Sequence, residues 1–251
     1  MSRFAILAAA AMISGCGAIP TGGGGGADPT STYKVYDNNC AHYDVAALKE
    51  GDWVEYEAKS SAGGGVSKTR TACVKVDSLV WIETAVAGYE GWYLLVGVDK
   101  ADRKVKKAYM GEKDKEAKEL KVEPAPTAAA GGNTDYKVRG TGKVSRESVT
   151  VKGTAYDCEK IDTNSTTTVS GKDYASKSTT WVSEKVPFRY YVDEKANAAA
   201  MNNADYKWEG KPSVKGGYVK MTSESSGMTS EMNLVGCGTD AKMTVKLPAP
   251  K

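Results

Sequence analysis

The 251-residue chain has one histidine, His42, and only two phenylalanines. A serine–histidine catalytic pair would have to use His42, which sits near Cys40 in an irregular stretch, and no nucleophile-elbow sequence occurs anywhere. A surface histidine is therefore expected. There is no C-x-x-C pair, so zinc-ligand spacing is absent and no metal or cofactor is expected. No apolar run approaches the roughly 20 residues of a membrane-spanning helix. Charge of one sign is lacking too. Thirty-four Lys and Arg are interleaved with 31 Asp and Glu for a net charge of +3, which gives no one-sided basic field for nucleic acid. The acids mostly alternate with lysines along apparent strands, which reads as a solvated face rather than as the paired carboxylates of a glycosidase. Enzymatic function is not expected.

What is present reads as β. Thr, Val, Ser, Lys and Tyr dominate, leucine is scarce, and the 14 tyrosines with the tryptophans carry much of the apolar area. In residues 51–58 (GDWVEYEA), Val54, Tyr56 and Ala58 share one strand face and Glu55 and Glu57 the other. Residues 68–76, 79–86, 92–98 and 104–110 continue as a meander with a turn signal every 8 to 12 residues or so. Residues 44–51 hold one or two helical turns, with Asp44 as cap and Gly51 as stop. Residues 112–121 alternate charge without an apolar stripe and read as a charged loop ending in a short strand. Residues 123–135 are rich in Pro, Ala and Gly, a linker between a first β-meander half (31–122) and a second (136–251), or a long loop within one sheet. In the second half strands are expected at 136–144, 148–151, 154–161, 165–170, 176–183, 188–192, 217–222 and 229–235. Residues 196–204 are either a short helix or an excursion, and the tail from 247 is expected to fray. The fold class is all-β and antiparallel, with few short helices, as one curved half-barrel-like sheet or two β lobes.

The N-terminus carries an address. Arg3 precedes an apolar and small-residue run over 4–13, the length of a signal-peptide core. It ends in Ile13-Ser14-Gly15-Cys16, which resembles the bacterial lipoprotein box. The resemblance implies cleavage of residues 1–15, a diacylglyceryl group on the Cys16 thiol and acylation of the new amine with a fatty acid such as palmitate. That would hold the chain on a membrane without a spanning helix. Gly17 and Ala18 follow. The absence of aspartate there implies the outer membrane, facing the periplasm or the surface. Residues 16–30 then include five consecutive glycines (22–26), a flexible tether rather than a phosphate-cradling loop.

Four cysteines remain after Cys16: Cys40, Cys73, Cys158 and Cys237. An even number in an exported chain reads as two disulfides. Three pairings are open, of which Cys40–Cys73 with Cys158–Cys237, one per half, is favoured.

Several short segments carry a second resemblance. They are GTAYDCE at 153–159, TWVSEKVP at 180–187, GGYVK at 216–220, MNLVG at 232–236 and GDWVEY at 51–56. Together they resemble the bacterial lipoprotein-sorting, or lipoprotein-carrier, family. The resemblance implies a strongly curved antiparallel half-barrel that binds a lipid or other apolar ligand on its concave face. The insert at 123–134, the lack of a long helix and the scarcity of Leu, Ile and Phe depart from that pattern. Tyr190, Tyr191, Trp208 and Tyr218 are candidate ligand-binding aromatics. Two functions are open. One is a membrane-anchored, non-enzymatic binding lipoprotein. The other is a structural or surface-interaction lipoprotein with a filled core, contacting an envelope protein or wall polymer.

Overall fold

The computed structural model describes residues 28–31, 33–62, 65–126, 136–191 and 205–249. The lipobox, Cys16, the glycine tether, most of the 123–135 linker and the 196–204 segment lie outside these residues.

The described chain is almost entirely β. In order, the strands are β1 (Val35–Tyr36), β2 (Trp53–Ser60), β3 (Val66–Val76), β4 (Val80–Ala85), β5 (Trp92–Val98), β6 (Val105–Glu112), β7 (Lys118–Leu120), β8 (Val122–Glu123), β9 (Tyr136–Val151), β10 (Thr154–Val169), β11 (Lys172–Ser183), β12 (Tyr206–Glu209), β13 (Gly217–Ser225) and β14 (Met228–Gly238). β1 and β8 form a small parallel pair. The other twelve strands form one sheet in the order β12-β9-β10-β11-β13-β14-β2-β3-β4-β5-β6-β7. It is open at β12 and β7 and does not close into a barrel. The two sequence halves join through the antiparallel β14–β2 ladder, so the chain after β8 crosses to the far edge of the sheet and works back.

The first half follows the sequence reading closely. Its hairpins obey the period-2 alternation because one side of each strand packs on a large apolar cluster that includes Val54, Cys73, Ile82, Leu94, Val96 and Met110. Residues 33–48 and Phe188 cover that side. The other side of β3–β6 carries Ala72, Val74, Trp81, Leu95 and Tyr109. It is not left to water, because Ala241 and Val245 of the C-terminal segment pack over it. The Glu83 carboxylate is buried there and accepts hydrogen bonds from the Thr244 and Val245 N–H groups at 2.9 and 3.2 Å. Lys246 exchanges backbone hydrogen bonds with Lys115 and Ala117. Residues 241–246, just before the tail expected to fray, are thus pinned by partners on β4 and the β6–β7 turn.

Three other expectations change. Residues 45–47 form one 3-10 turn. Asp44 does not cap it, because its carboxylate pairs with Arg189 at 2.8 Å. Nor does Gly51 stop it, since the turn ends at Ala47 with an extended Leu48 as C-cap; Gly51 instead takes φ +95° where a Cβ would collide with the Thr239 carbonyl. Residues 136–151 and 154–169 are two sixteen-residue strands rather than four short ones. The breaks expected at residues 145–147 and 162–164 are instead paired across the ladder. The true turns are Lys152-Gly153, Ser170-Gly171 and Ser226-Gly227, every residue of which has positive φ, as a tight two-residue hairpin demands.

Candidate functional site

A trough of about 1020 Å³ crosses β12, β9, β10, β11, β13, β14 and the end of β2. The ladder registers fix its pattern. One cross-strand row is Lys143, Asp162, Thr179, Thr222, Glu231 and Lys59. Two residues along, a second row is Thr141, Asn164, Lys177, Glu224 and Thr229. Residues two apart on a strand share a face, so these rows flank one groove and Lys207 and Glu209 of β12 extend it. The row between them, Thr163, Ser178, Ser223, Ser230 and Ser60, is directed to the opposite face by the pleat. There its hydroxyls pair across strands, Thr163 with Ser178 at 2.7 Å and Ser223 with Ser230 at 2.6 Å.

The groove is polar by construction. Every side chain of its two flanking rows is polar, and Trp208, in register with Gly142 and Thr163, shares the opposite face with the row between them. This is not the apolar concave surface that the sequence reading expected. Lys143 pairs with Glu209 at 2.8 Å, Asp162 accepts from the Thr179 hydroxyl at 2.7 Å, and Glu231 accepts from the Asn233 amide at 3.0 Å. The Asn233 amide, with Lys220 beside it, holds the Glu231 carboxyl below its usual range. One row beyond, Trp181 is 9% exposed with the ammonium groups of Lys160 and Lys220 at 5.3 and 5.5 Å from its ring. Lys160 and then the Trp181 indole draw the Glu147 carboxyl down.

The four candidate aromatics do not form one surface. Tyr190 and Tyr218 stack at 4.3 Å, with Tyr43 at 5.5 Å from Tyr190. Burial pushes the Tyr43 and Tyr218 phenols up to about 12 and that of Tyr190 well above its ordinary value. Tyr191 is 40% exposed and lies under the Arg103 guanidinium at 3.2 Å. Trp208 is elsewhere, at the β12 end of the trough, its ring seated over Gly142 of the neighbouring strand. Tyr190 and Tyr218 thus belong to a packed cluster, Tyr191 lies outside it, and Trp208 sits on a strand of the trough but on the face opposite its charged rows. His42 is not a surface residue. It packs against Tyr43 and Tyr190, its Nε2 is buried, and burial pulls its pKa down to about 4.

The cysteines also depart from expectation. Cys73, Cys158 and Cys237 are free thiols. Neither the Cys40–Cys73 nor the Cys158–Cys237 bridge forms. Cys158 Sγ is turned to the Tyr156 carbonyl at 3.3 Å and Cys237 Sγ meets the Tyr156 hydroxyl at 3.5 Å, so the tyrosine takes both contacts. Cys73 faces the main core as a small apolar residue. Burial pushes the Cys73 thiol up to about 12 and the Cys158 thiol up to about 11. Among the described residues no three His, Cys, Asp or Glu side chains gather as metal ligands, and no helix is long and apolar enough to cross a membrane.

The trough residues were visible in the sequence only as alternating Lys, Thr and acid. The signal that could have found them is the recurrence of that alternation on five consecutive strands. Aligning the rows needs the register, which the X-Gly turns set.

No family model and no curated protein matches the chain. Among solved structures, it is similar to a "putative lipoprotein" from Parabacteroides distasonis ATCC 8503, at 11% identity and a TM-score of 0.33 over 78% of this chain and 99% of that one. It is also similar to a "putative exported protein with YmcC-like fold" from Bacteroides fragilis NCTC 9343, at 10% identity and a TM-score of 0.29 over 76% and 97%. Likenesses of this degree carry no argument about what this chain does.

Proposed function

We propose that this chain is a bacterial envelope lipoprotein, anchored to the outer membrane by lipid on Cys16, which binds a ligand in the β9–β14 trough without catalysing a reaction. The trough carries this reading. It is long, open and lined by side chains from seven strands, an arrangement suited to holding an extended molecule. Several of its acids are engaged, Glu209 by Lys143 and Asp162 by Thr179, and the one histidine is buried in the tyrosine cluster, so among the described residues of the trough no acid–base pair converges on a reacting atom. The Ile13-Ser14-Gly15-Cys16 box supports the anchor. A filled structural module contacting envelope partners is the second reading, favoured by the packed Tyr190–Tyr218 stack.

Intact mass spectrometry of the full chain purified from membranes tests the anchor. A mature chain starting at Cys16 with diacylglyceryl and acyl additions is expected, and Cys16→Ala should release the protein from the membrane. An unmodified chain that lacks Cys16 would overturn the anchor.

A further inference from the structure

Resting on the lipid anchor proposed above, we infer that one rim of the sheet dips into the bilayer that holds Cys16, with Tyr174, Met228 and Val66 as the residues that enter lipid. Among the described residues four large apolar side chains are exposed, these three and Tyr191. Tyr191 lies under the Arg103 guanidinium. The other three are about half exposed and sit one on each of three adjacent hairpins: Tyr174 on β10–β11, Met228 on β13–β14 and Val66 on β2–β3. The residues that join these strand pairs, 170–171, 226–227 and 61–65, include no charged side chain. Joins at the other end of the sheet do, with Asp77 before β4, the run from Asp99 to Lys104 before β6 and Lys152 before β10.

The ladder registers put the three on one slanted line. Met228 is level with Ser176 through Ser225, two residues from Tyr174 and two strands away. Val66 is level with Glu231 through Lys59, three residues from Met228 and two strands further on. Lys118, the first residue of β7, continues the line. It is level with Thr71 through Met110, Leu94 and Thr84, five residues from Val66 and four strands beyond it. At about 3.3 Å per residue and 4.8 Å per strand the slope is roughly 40°, which is the tilt strands take to the axis of a barrel-like sheet. The line therefore runs level around the rim, and a single plane meets all four residues.

The fourth residue marks where the anchored chain enters. Lys118 pairs with the Asp28 carboxylate, and the twelve peptide links from Cys16 to Asp28 reach at most about 42 Å. The far ends of the sixteen-residue β9 and β10 lie about 50 Å along the strands, beyond that reach, so the tether holds this rim nearer the bilayer. The side chains suit the place. A tyrosine ring belongs at headgroup level, with its hydroxyl kept wet. Val66 and Met228 would bury aliphatic surface that water now covers. Asp173, next to Tyr174, is already paired with Arg139 at 2.6 Å. Lys172 stands exposed beside it, suited to an anionic headgroup.

The test is a depth measurement by electron spin resonance on the full-length, membrane-extracted lipoprotein in phosphatidylethanolamine–phosphatidylglycerol vesicles. Nitroxides are attached one at a time through Val66→Cys, Tyr174→Cys and Met228→Cys, with Ala101→Cys and Lys152→Cys at the other rim as controls. The background is Cys237→Ser, since Cys40, Cys73 and Cys158 are buried. Co-flotation with the vesicles is scored for every sample. The three rim labels should favour oxygen over a water-soluble nickel chelate and report depths of about 5 Å or more below the phosphates, while the controls report water. Co-flotation with every label in water would overturn the inference and leave the anchor standing. Rim labels shut off from oxygen and chelate alike would mark a protein contact and overturn the inference too. A chain that separates from the vesicles with Cys16 unmodified would overturn the anchor together with the inference that rests on it.

Discussion

β4 and β10 belong to one sheet, yet they are held in opposite ways. All but the last residue of β4 are buried, because the tyrosine-rich N-terminal segment covers one face and the C-terminal segment the other. In the distal part of β10 only Ser165 is buried, and its neighbours are threonines, serine, asparagine and aspartate. β11 repeats the pattern, exposed or half-buried until Trp181. The proximal half earns its stability by burying apolar area. The distal half is held by long backbone ladders, tight X-Gly turns and cross-strand hydroxyl pairs. A sheet that needs neither face for its own core has a face to offer a ligand, and the trough lies there.

The sharpest way to break this comparison is truncation on each side. Ile82→Ala, at a fully buried position, should cost about 2–5 kcal/mol of stability in a urea titration. Thr163→Ala should cost about 1 kcal/mol, the worth of one hydrogen bond. Comparable losses at the two sites would contradict the division.

Acid should act on the proximal half next. His42 has a folded pKa lowered to about 4 by burial, against about 6.5 in an unfolded chain. Its contribution is present above pH 6.5 or so and is lost as pH falls through about 4, on the order of 3 kcal/mol in all. His42→Gln should flatten that part of the stability–pH curve, and the imidazole resonances of the wild type should titrate near pH 4.

Two buried carboxylates pin a loop in each half. Glu83 holds Thr244 and Val245, and Glu159 holds Ser213 and Val214 by hydrogen bonds of 2.7 to 3.1 Å. Replacing either with Ala should cost about 1–3 kcal/mol. The sites of new proteolysis should differ: the chain after Gly238 for Glu83→Ala, and residues 211–216 for Glu159→Ala. The free thiols give a gentler probe. Native Cys73 and Cys158 should both resist iodoacetamide at neutral pH, since burial disfavours their thiolates. In mild urea Cys158, on the distal hairpin, should be alkylated before Cys73.

Much of the proximal half was legible in the sequence, because burial on one face writes a period of two into residues such as Val54, Tyr56 and Ala58. The distal half was harder. A break was expected over residues 162–164, and nothing local says that Asp162, Thr163 and Asn164 will be absorbed by a sixteen-residue ladder. The Lys152-Gly153, Ser170-Gly171 and Ser226-Gly227 pairs were the better signal, since both residues of a tight hairpin turn take positive φ. The docking of residues 241–246 was invisible because it depends on Glu83, far away in sequence. The expected disulfides rested on counting, and counting does not see Tyr156 between Cys158 and Cys237.

Native-state hydrogen exchange on the full chain tests the division of labour most directly. Amides of Ser178 and Thr222 should exchange through local openings of lower free energy than the global unfolding that exposes Ile82 and Leu95. Exchange of all four at one common free energy would show a single cooperative sheet and contradict the account.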